Sequence, residues 1–367
     1  MARPDADDVV RLMRPEVRAA HEYVVGSAPK VSVKLNQNES PLDVPDAIKR
    51  DLADALLGTA LNRYPSEIPR TLRAELAARL DHPEEGIIIG NGSNELTYTL
   101  GMCFVGPATP VVLPRPMFSL YDAMVRLHGG QVVPVAPRPD LSFDVDGLLA
   151  AMDRTQAPLT VVTTPNNPTG LALSREDVVR LIEGAPGAIV VDEAYVEFNP
   201  HGTVADLIAR YPNLLVMRTL SKAFGLAGLR LGFVLGQPRI IREMMKSRLP
   251  FMVDRVAEAA ALSLLRHVDL VAGRARDIKR WTEELTLAMQ DVDGVQVLPS
   301  DTNFVLFRTP LEPRAMMDRL AAEGILVRNM GGYPELRGYL RVSSGTEDEN
   351  RLFLRALQRA IAEPVVG

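Results

Sequence analysis

The 367-residue sequence contains one cysteine, Cys103, one tryptophan and five histidines. A single thiol closes no disulfide within the chain and supplies no thiolate-rich metal site. His21, His82, His128, His201 and His267 lie far apart and in no ligand spacing, so a histidine-based metal site is not expected. Neither a G-x-S-x-G elbow nor a Walker A loop occurs, which removes two common hydrolase signatures. No apolar run approaches the ~18 residues of a membrane span. The start, Met1-Ala2-Arg3-Pro4-Asp5-Ala6-Asp7-Asp8, carries acids where an export signal carries bases. A chain retained in the reducing cytoplasm, with no membrane partner, is the expectation. Its 41 basic and 46 acidic residues give a net charge of −5, and the basic ones form no stripe, which argues against a nucleic-acid partner.

What is present is the mixture of a globular protein, 47% apolar and 24% charged, which excludes disorder, collagen and coiled-coil arrays. The length corresponds to roughly two domains. Short apolar runs rich in β-branched residues recur at Gly86–Ile89, Pro110–Leu113, Gln131–Val135, Leu159–Thr163, Ala188–Val191, Leu214–Met217 and Leu231–Leu235. They are apolar on both faces, as strands buried between two helix layers are. Between most of them lie amphipathic stretches with recognisable starts, such as Ser174-Arg175-Glu176-Asp177. Repeated βαβ units with right-handed crossovers predict an α/β fold: a large domain whose mostly parallel central sheet is sandwiched by helices, with its ligand site at the carboxyl ends of the strands. After about residue 262 the pattern changes to a long helix through Trp281 and Met289. Strands follow at Val295–Leu298 and Asn303–Phe307, then a helix over Pro313–Glu323, strands around Leu326 and Leu340, and a last helix opened by Thr346-Glu347-Asp348-Glu349. This reads as a smaller α+β domain. The expected division is 35–262 for the large domain, with 1–34 and 263–367 forming the small one.

Four stretches just after strands could carry chemistry. Gly90-Asn91-Gly92-Ser93-Asn94-Glu95 begins like a dinucleotide fingerprint, but Glu95 stands where the third glycine is required. As a strand-to-helix turn opening a helix at Glu95-Leu96-Thr97-Tyr98-Thr99-Leu100, it points the free amides of Ser93, Asn94 and Glu95 outward, either as a phosphate site or simply as a tight turn. Thr164-Pro165-Asn166-Asn167-Pro168-Thr169-Gly170 is a stiff mount for an amide. Ala188–Val191 ends in the acid Asp192, and Leu215-Val216-Met217-Arg218-Thr219-Leu220-Ser221-Lys222 ends in hydroxyls beside a lysine. A buried Asp needs a cationic partner, and a lysine in a cleft has a lowered pKa.

Taken together and in this order, these motifs resemble the pyridoxal-phosphate enzymes of the aspartate-aminotransferase fold (fold type I, class I/II aminotransferases), over nearly the whole chain. The stretches Asn-Asn-Pro-Thr-Gly, Asp-Glu-Ala-Tyr-Val-Glu-Phe and Thr-Leu-Ser-Lys-Ala-Phe-Gly-Leu-Ala-Gly-Leu-Arg look most like the histidinol-phosphate aminotransferases within it. The resemblance implies that Lys222 holds pyridoxal 5'-phosphate as a Schiff base and shuttles the proton between the substrate Cα and the cofactor C4′. Asp192 would pair with the pyridinium nitrogen, Asn167 and Tyr195 would bond the phenolic oxygen, and Phe118 would stack on the ring. The cofactor phosphate would sit on the amides of Ser93, Asn94 and Glu95, with Thr219, Ser221 and Arg230 completing the cup. Tyr64 resembles the tyrosine that reaches the phosphate of the neighbouring subunit, which implies a homodimer with shared active sites. Arg341 matches the arginine that takes the glutamate α-carboxylate and the substrate phosphate, and Arg328 a second phosphate ligand. Tyr23 matches an N-terminal tyrosine that closes over that phosphate, and Asn36 an asparagine near the substrate. Asn94 departs from the aspartate common at its position but keeps the amide. The implied reaction moves an amino group between L-histidinol phosphate and 2-oxoglutarate, giving imidazole acetol phosphate and glutamate, a step of histidine biosynthesis. Alternatives on the same scaffold are an aromatic amino acid aminotransferase and a threonine-phosphate decarboxylase. A ligand-sensing domain of a transcription regulator would need a basic winged-helix segment, which is absent from the sequence.

Overall fold

The computed structural model describes residue 3, residues 5–20 and residues 31–362. In chain order its strands are β1 (Val33–Lys34), β2 (Ile87–Asn91), β3 (Pro110–Pro114), β4 (Gln131–Val135), β5 (Leu159–Thr163), β6 (Ala188–Asp192) and β7 (Leu214–Thr219). Then follow β8 (Leu231–Leu235), β9 (Gln296–Val297), β10 (Phe304–Arg308), β11 (Ile325–Leu326), β12 (Arg328–Asn329) and β13 (Tyr339–Ser343). Seven of them form the large sheet in the order β2-β8-β7-β6-β5-β3-β4. Pairing is parallel from β7 to β4, while β8 runs antiparallel to both β2 and β7.

The double-sided burial expected of these strands follows from their period of two. Ile189, Val191, Leu214 and Val216 enter the core on one face, whereas Val161, Val190, Leu215 and Met217 enter the core on the other. Helices cover both faces, and their starts are fixed by side-chain caps. Asp144 accepts from Gly147 N ahead of Val145–Thr155, Ser174 from Asp177 N ahead of Arg175–Gly184, and Asp254 from Ala257 N ahead of Arg255–Leu265. The chain moves outward from β3 to β4 and returns on the other side of β3 as β5. This change of direction opens a crevice at the strand carboxyl ends.

The smaller sheet has the order β12-β13-β10-β9, and Phe307, Val342, Phe353 and Leu357 form its core with the helices Pro313–Ala322 and Glu347–Ala362. Thr346 and Glu349 complete a capping box for the last helix: Thr346 N donates to Glu349 Oε2 (2.8 Å) and Glu349 N to Thr346 Oγ1 (3.3 Å). Among the described residues no helix is long and apolar enough to cross a membrane.

The segment before the large sheet is shared between the two units. β1 pairs in parallel with β11, and Leu35 is buried with Val33 in the smaller core, although the sequence places residue 35 with the large domain. Residues 15–19, assigned by the sequence to the smaller unit, lie instead beside the helix Ser119–Leu127. There Arg14 Nη2 donates to the Leu127 carbonyl (2.6 Å), one of the last carbonyls that a helix leaves unpaired.

One ion pair locks the two strands that end nearest the crevice. Arg218 on β7 donates to Glu193, just past β6, at 2.9 Å, and the Glu193 side chain is only 1% exposed. Thr203 Oγ1 and Val204 N also donate to that carboxylate, at 2.8 and 2.6 Å. The Arg218→Met variant, which leaves Glu193 buried without its cation, is expected to lose about 3–5 kcal/mol in urea unfolding. A loss under about 1 kcal/mol would show that the hydroxyl and amide donors suffice.

Candidate active site

The crevice is a cleft of about 610 Å³. Its floor is built by the ends of β5, β6 and β7, where strands apolar on both faces meet solvent and polar residues become tolerable. The loop after β5 is stiffened from within: Asn166 Nδ2 donates to Pro116 O (3.0 Å) and Thr169 Oγ1 (2.9 Å), and Thr163 Oγ1 donates to Asn166 Oδ1. This presents the neighbouring Asn167 to the cleft.

At the end of β6, Asp192 is 7% exposed and accepts from Tyr121 Oη (2.7 Å) and Ala194 N (3.0 Å). Burial pushes its carboxyl up to about 6, against the pull of those two hydrogen bonds. Past β7, Lys222 Nζ donates to Gln37 O (3.3 Å) and lies 5.8 Å from the centre of the Tyr195 ring. Burial first, then the Arg341 guanidinium, brings its amine down to about 8. Burial also raises the Tyr195 phenol to about 12, so that hydroxyl stays protonated through the neutral range.

A second wall gathers donors. The helix after β2 spans Gly92–Phe104, starting three residues before the position expected from the sequence, so the unpaired amides of its first turn include Ser93, Asn94 and Glu95. Gly92 has φ +78°, and a Cβ there would sit 2.6 Å from Arg230 Nη2; a Cβ on Gly232 would sit 2.5 Å from Ser93 N. The two glycines thus let a guanidinium and a helix N-terminus converge. Arg230 Nη1 donates to Ala227 O (3.0 Å), Thr219 Oγ1 donates to Ser221 Oγ (2.9 Å), and among the described residues no carboxylate pairs with Arg230. Amides, hydroxyls and one guanidinium form a cradle suited to a phosphate-sized oxyanion.

The third wall comes from the smaller sheet. Arg328 on β12 and Arg341 on β13 are directly opposite in register, and both line the cleft. Like charges in that relation repel, a cost that a bound anion removes. Arg341 Nη1 donates to Asn167 Oδ1 (2.6 Å), its Nη2 donates to Asn36 O (3.1 Å), and its guanidinium lies 5.1 Å from the Phe304 ring centre. Asn36 Oδ1 is buried with no hydrogen-bond partner among the described residues.

The cleft therefore brings together Asn36, Ser93, Asn94, Phe118, Asn167, Asp192 and Tyr195, and with them Thr219, Ser221, Lys222, Arg230, Arg328 and Arg341. The Glu95 side chain does not line it; its carboxylate accepts from Asn91 N (3.2 Å) and Thr99 Oγ1 (2.8 Å), leaving only its amide on that side. Tyr64 is 78% exposed, stacked on Phe251 at 4.9 Å, and lies outside this chain's own cleft. Tyr23 lies outside the described residues. Two residues that sequence reasoning missed are Tyr121, which holds Asp192, and Asn38, whose Nδ2 donates to Tyr195 Oη at 2.9 Å. The signal for Tyr121 is its place one helical turn after Phe118; that for Asn38 is the polar run Asn36-Gln37-Asn38-Glu39 itself.

Because the Lys222 amine sits near 8 in the fold against an ordinary 10.5, the unfolded chain binds more protons between those values. Its contribution to stability therefore rises as pH increases from about 8 to 10.5 and is a constant penalty below. Lys222→Met is expected to be more stable than the parent at pH 7, by up to about 3 kcal/mol, and to lose that rise in urea unfolding across the window. Parallel stability–pH curves for the two proteins would contradict a buried, depressed amine.

The family model of aminotransferase class I and II matches residues 30–357. The histidinol-phosphate aminotransferase of Chlorobaculum parvum is 39% identical over 351 residues, 96% of this chain and 99% of that protein. The histidinol-phosphate aminotransferase of Chlorobaculum tepidum is 38% identical over 348 residues, covering 95% of this chain and all of that one. Among solved structures, the histidinol-phosphate aminotransferase of Sinorhizobium meliloti in complex with pyridoxal-5'-phosphate superposes with a TM-score of 0.86 at 27% identity, over 95% of this chain and 97% of that one. With a family model spanning most of its length and relatives this similar end to end, the chain belongs to the class I and II aminotransferases.

Proposed function

We propose that the chain is a histidinol-phosphate aminotransferase that uses pyridoxal 5'-phosphate to move an amino group between L-histidinol phosphate and 2-oxoglutarate, in histidine biosynthesis. The observation that carries the substrate is the cross-strand pair Arg328 and Arg341, two guanidiniums facing one cleft. A substrate with a phosphate, alternating with one that has a carboxylate, answers that concentration of charge. The cradle on the other wall fits the cofactor phosphate: Ser93 and Asn94 amides, Thr219 and Ser221 hydroxyls, and Arg230, which has no acidic partner among the described residues.

When bound, the cofactor supplies a carbonyl that takes the amino group and a ring that accepts the electron pair released at the substrate α-carbon. Lys222 is placed to hold it and, once freed, to take the α-proton on Nζ; an amine near 8 is close enough to neutrality to give and receive protons. Asp192, fixed by Tyr121, keeps a proton on the ring nitrogen by offering a carboxylate in a buried setting. Asn167 and Tyr195, which line the cleft, would hydrogen-bond the cofactor's phenolic oxygen, Phe118 would cover its ring, and Asn36 would offer its unpartnered carbonyl to the substrate. Arg341 takes the α-carboxylate of glutamate and Arg328 shares the phosphate of the amino donor.

The division of labour follows the two units: the cofactor residues lie within 35–262, the substrate arginines lie within 263–367, and Tyr23, from 1–34, would supply a closing group. The active form is a homodimer in which Tyr64 of one subunit reaches the cofactor phosphate of the other. Its exposure, together with that of Leu57 (88%), Leu61 (70%) and Leu249 (69%), supports a covered face. The compartment is the cytoplasm, in keeping with a single free thiol.

Cofactor-loaded protein mixed with histidinol phosphate alone is expected to lose the visible band of its lysine-linked cofactor rapidly and stoichiometrically, much faster than with phenylalanine. A faster reaction with phenylalanine would move the function to an aromatic aminotransferase, and release of carbon dioxide from threonine phosphate to a decarboxylase. Lys222→Ala should lower transamination by at least about 10³-fold without dissociating the dimer. Arg328→Gln should raise KM for histidinol phosphate by about 10- to 100-fold and leave KM for glutamate nearly unchanged, since only the phosphate loses a charge-assisted hydrogen bond. Equal effects on both substrates would show that Arg328 does not discriminate them.

A further inference from the structure

Tyr195 is reached from behind by a buried chain of hydrogen bonds that the reaction scheme above does not use. Asn38 N donates to Ser343 Oγ at 2.8 Å, and Ser343 Oγ lies 3.3 Å from Asn38 Oδ1. A serine hydroxyl has one hydrogen. Since the Asn38 amide proton occupies its oxygen as acceptor, that hydrogen goes to Asn38 Oδ1. The far side of the carboxamide must then be Nδ2, and it donates to Tyr195 Oη at 2.9 Å. Asn303 Nδ2 holds the Asn38 carbonyl at 3.1 Å, so both ends of the residue's backbone are tied down. Asn38, Tyr195, Asn303 and Ser343 are all buried. Asn38 has φ 53°, a left-handed conformation that asparagine tolerates better than most residues.

We propose that Asn38 is a positioning residue: by donating to the Tyr195 oxygen it forbids the Tyr195 hydrogen from turning backward and directs it into the cleft, toward the phenolic oxygen of the cofactor ring. This rests on the cofactor reading given above. A phenol that accepts one hydrogen bond is also a better donor in the next. Arg341, Asp192 and Tyr333 are the other titratable groups whose charge Tyr195 feels, and Lys222 Nζ lies 5.8 Å from its ring centre; Asn38 is the group that hydrogen-bonds its hydroxyl. Ser343 and Asn303 belong to the smaller unit, at the end of β13 and just before β10, so a tyrosine of the larger unit takes its orientation from the smaller one.

The test is a visible spectrophotometric titration of the cofactor-loaded protein, which needs no turnover. It compares wild type, Asn38→Asp, Tyr195→Phe and the double variant, with a thermal melt of each. Aspartate has nearly the same shape but only accepts, so Tyr195 would donate backward to it and the cleft would lose its donor. Without that donor the negative charge on the ring oxygen holds the neighbouring proton more tightly. The midpoint of the visible band should therefore rise by about one pH unit in Asn38→Asp, the worth of one hydrogen bond. In the Tyr195→Phe background the same substitution should add nothing. An unchanged midpoint in Asn38→Asp, or an equal rise with and without the Tyr195 hydroxyl, would overturn the proposal, the second by showing that the new charge acts directly. Should Asn38→Asp fail to fold, Asn38→Gly keeps the left-handed backbone and is neutral. It should raise the midpoint by a smaller amount, and only when Tyr195 is present; no rise would overturn the proposal. A wild-type protein with no titrating visible band would overturn the cofactor reading itself, and this inference with it.

Discussion

Strands β5, β6 and β7 are buried on both faces, and the rest of the molecule answers to that constraint. The apolar side chains along Leu159–Thr163, Ala188–Asp192 and Leu214–Thr219 point into one core or the other, so a charged group has no tolerable place until the last residues of a strand. Parallel pairing puts those ends on one edge, and the turn of the chain between β3 and β5 opens that edge into a crevice. Asp192 and Lys222 are thereby drawn together without being near in sequence. They are also drawn into a setting dry enough to move the carboxyl up to about 6 and the amine down to about 8. The buried Arg218–Glu193 pair holds the two strand ends in step from beneath.

Charge is distributed in the cleft by source. The larger unit contributes a balanced set, Asp192 against Lys222, with Arg230 set apart at the helix N-terminus. The smaller unit contributes only cations to the cross-strand pair, Arg328 opposite Arg341. A ligand with one anionic group on each wall would satisfy both. Arg341 hydrogen-bonds to the neutral oxygens of Asn167 and Asn36, and Arg230 to Ala227 O, with no carboxylate pairing with Arg230 among the described residues. Keeping acidic side chains of the described residues away from Arg230 leaves its charge available to a visitor.

Much of this could be read from the residues in order. The seven strands of the large sheet were legible because β-branched runs bounded by polar residues leave little choice, and their ends located Asp192, Thr219, Ser221 and Lys222. The helix starting at Gly92 was placed three residues late because a glycine with positive φ reads locally as a turn, whereas here it opens the helix and admits Arg230. Local signals mark the places of Tyr121 and Asn38, but what these two hold was not legible, for a different reason. Their partners, Asp192 and Tyr195, lie 71 and 157 residues away, and no local period reports a contact formed only when the sheet and the two units are assembled. The same holds for residues 15–19, whose seat on the Ser119–Leu127 helix depends on one guanidinium meeting a carbonyl 113 residues distant.

The segment 33–39 shows how the two units come to share one site. Val33 and Lys34 add a strand beside β11, Leu35 N donates to Leu326 O (2.9 Å), and Ser343 N donates to Leu35 O (2.8 Å), so this stretch is stitched into the smaller unit by main-chain bonds. Three residues later Asn38 is bonded to Tyr195, and the Gln37 carbonyl accepts from Lys222 Nζ, both of the larger unit. Lys34 pairs with Glu39 at 2.7 Å across the same stretch. Any movement of the smaller unit, and of Arg328 and Arg341 with it, must carry this strand along. Asn38, which donates to Tyr195, and the Gln37 carbonyl, which receives the Lys222 amine, are therefore tied to the unit that carries the two guanidiniums, because they are parts of one hydrogen-bonded segment.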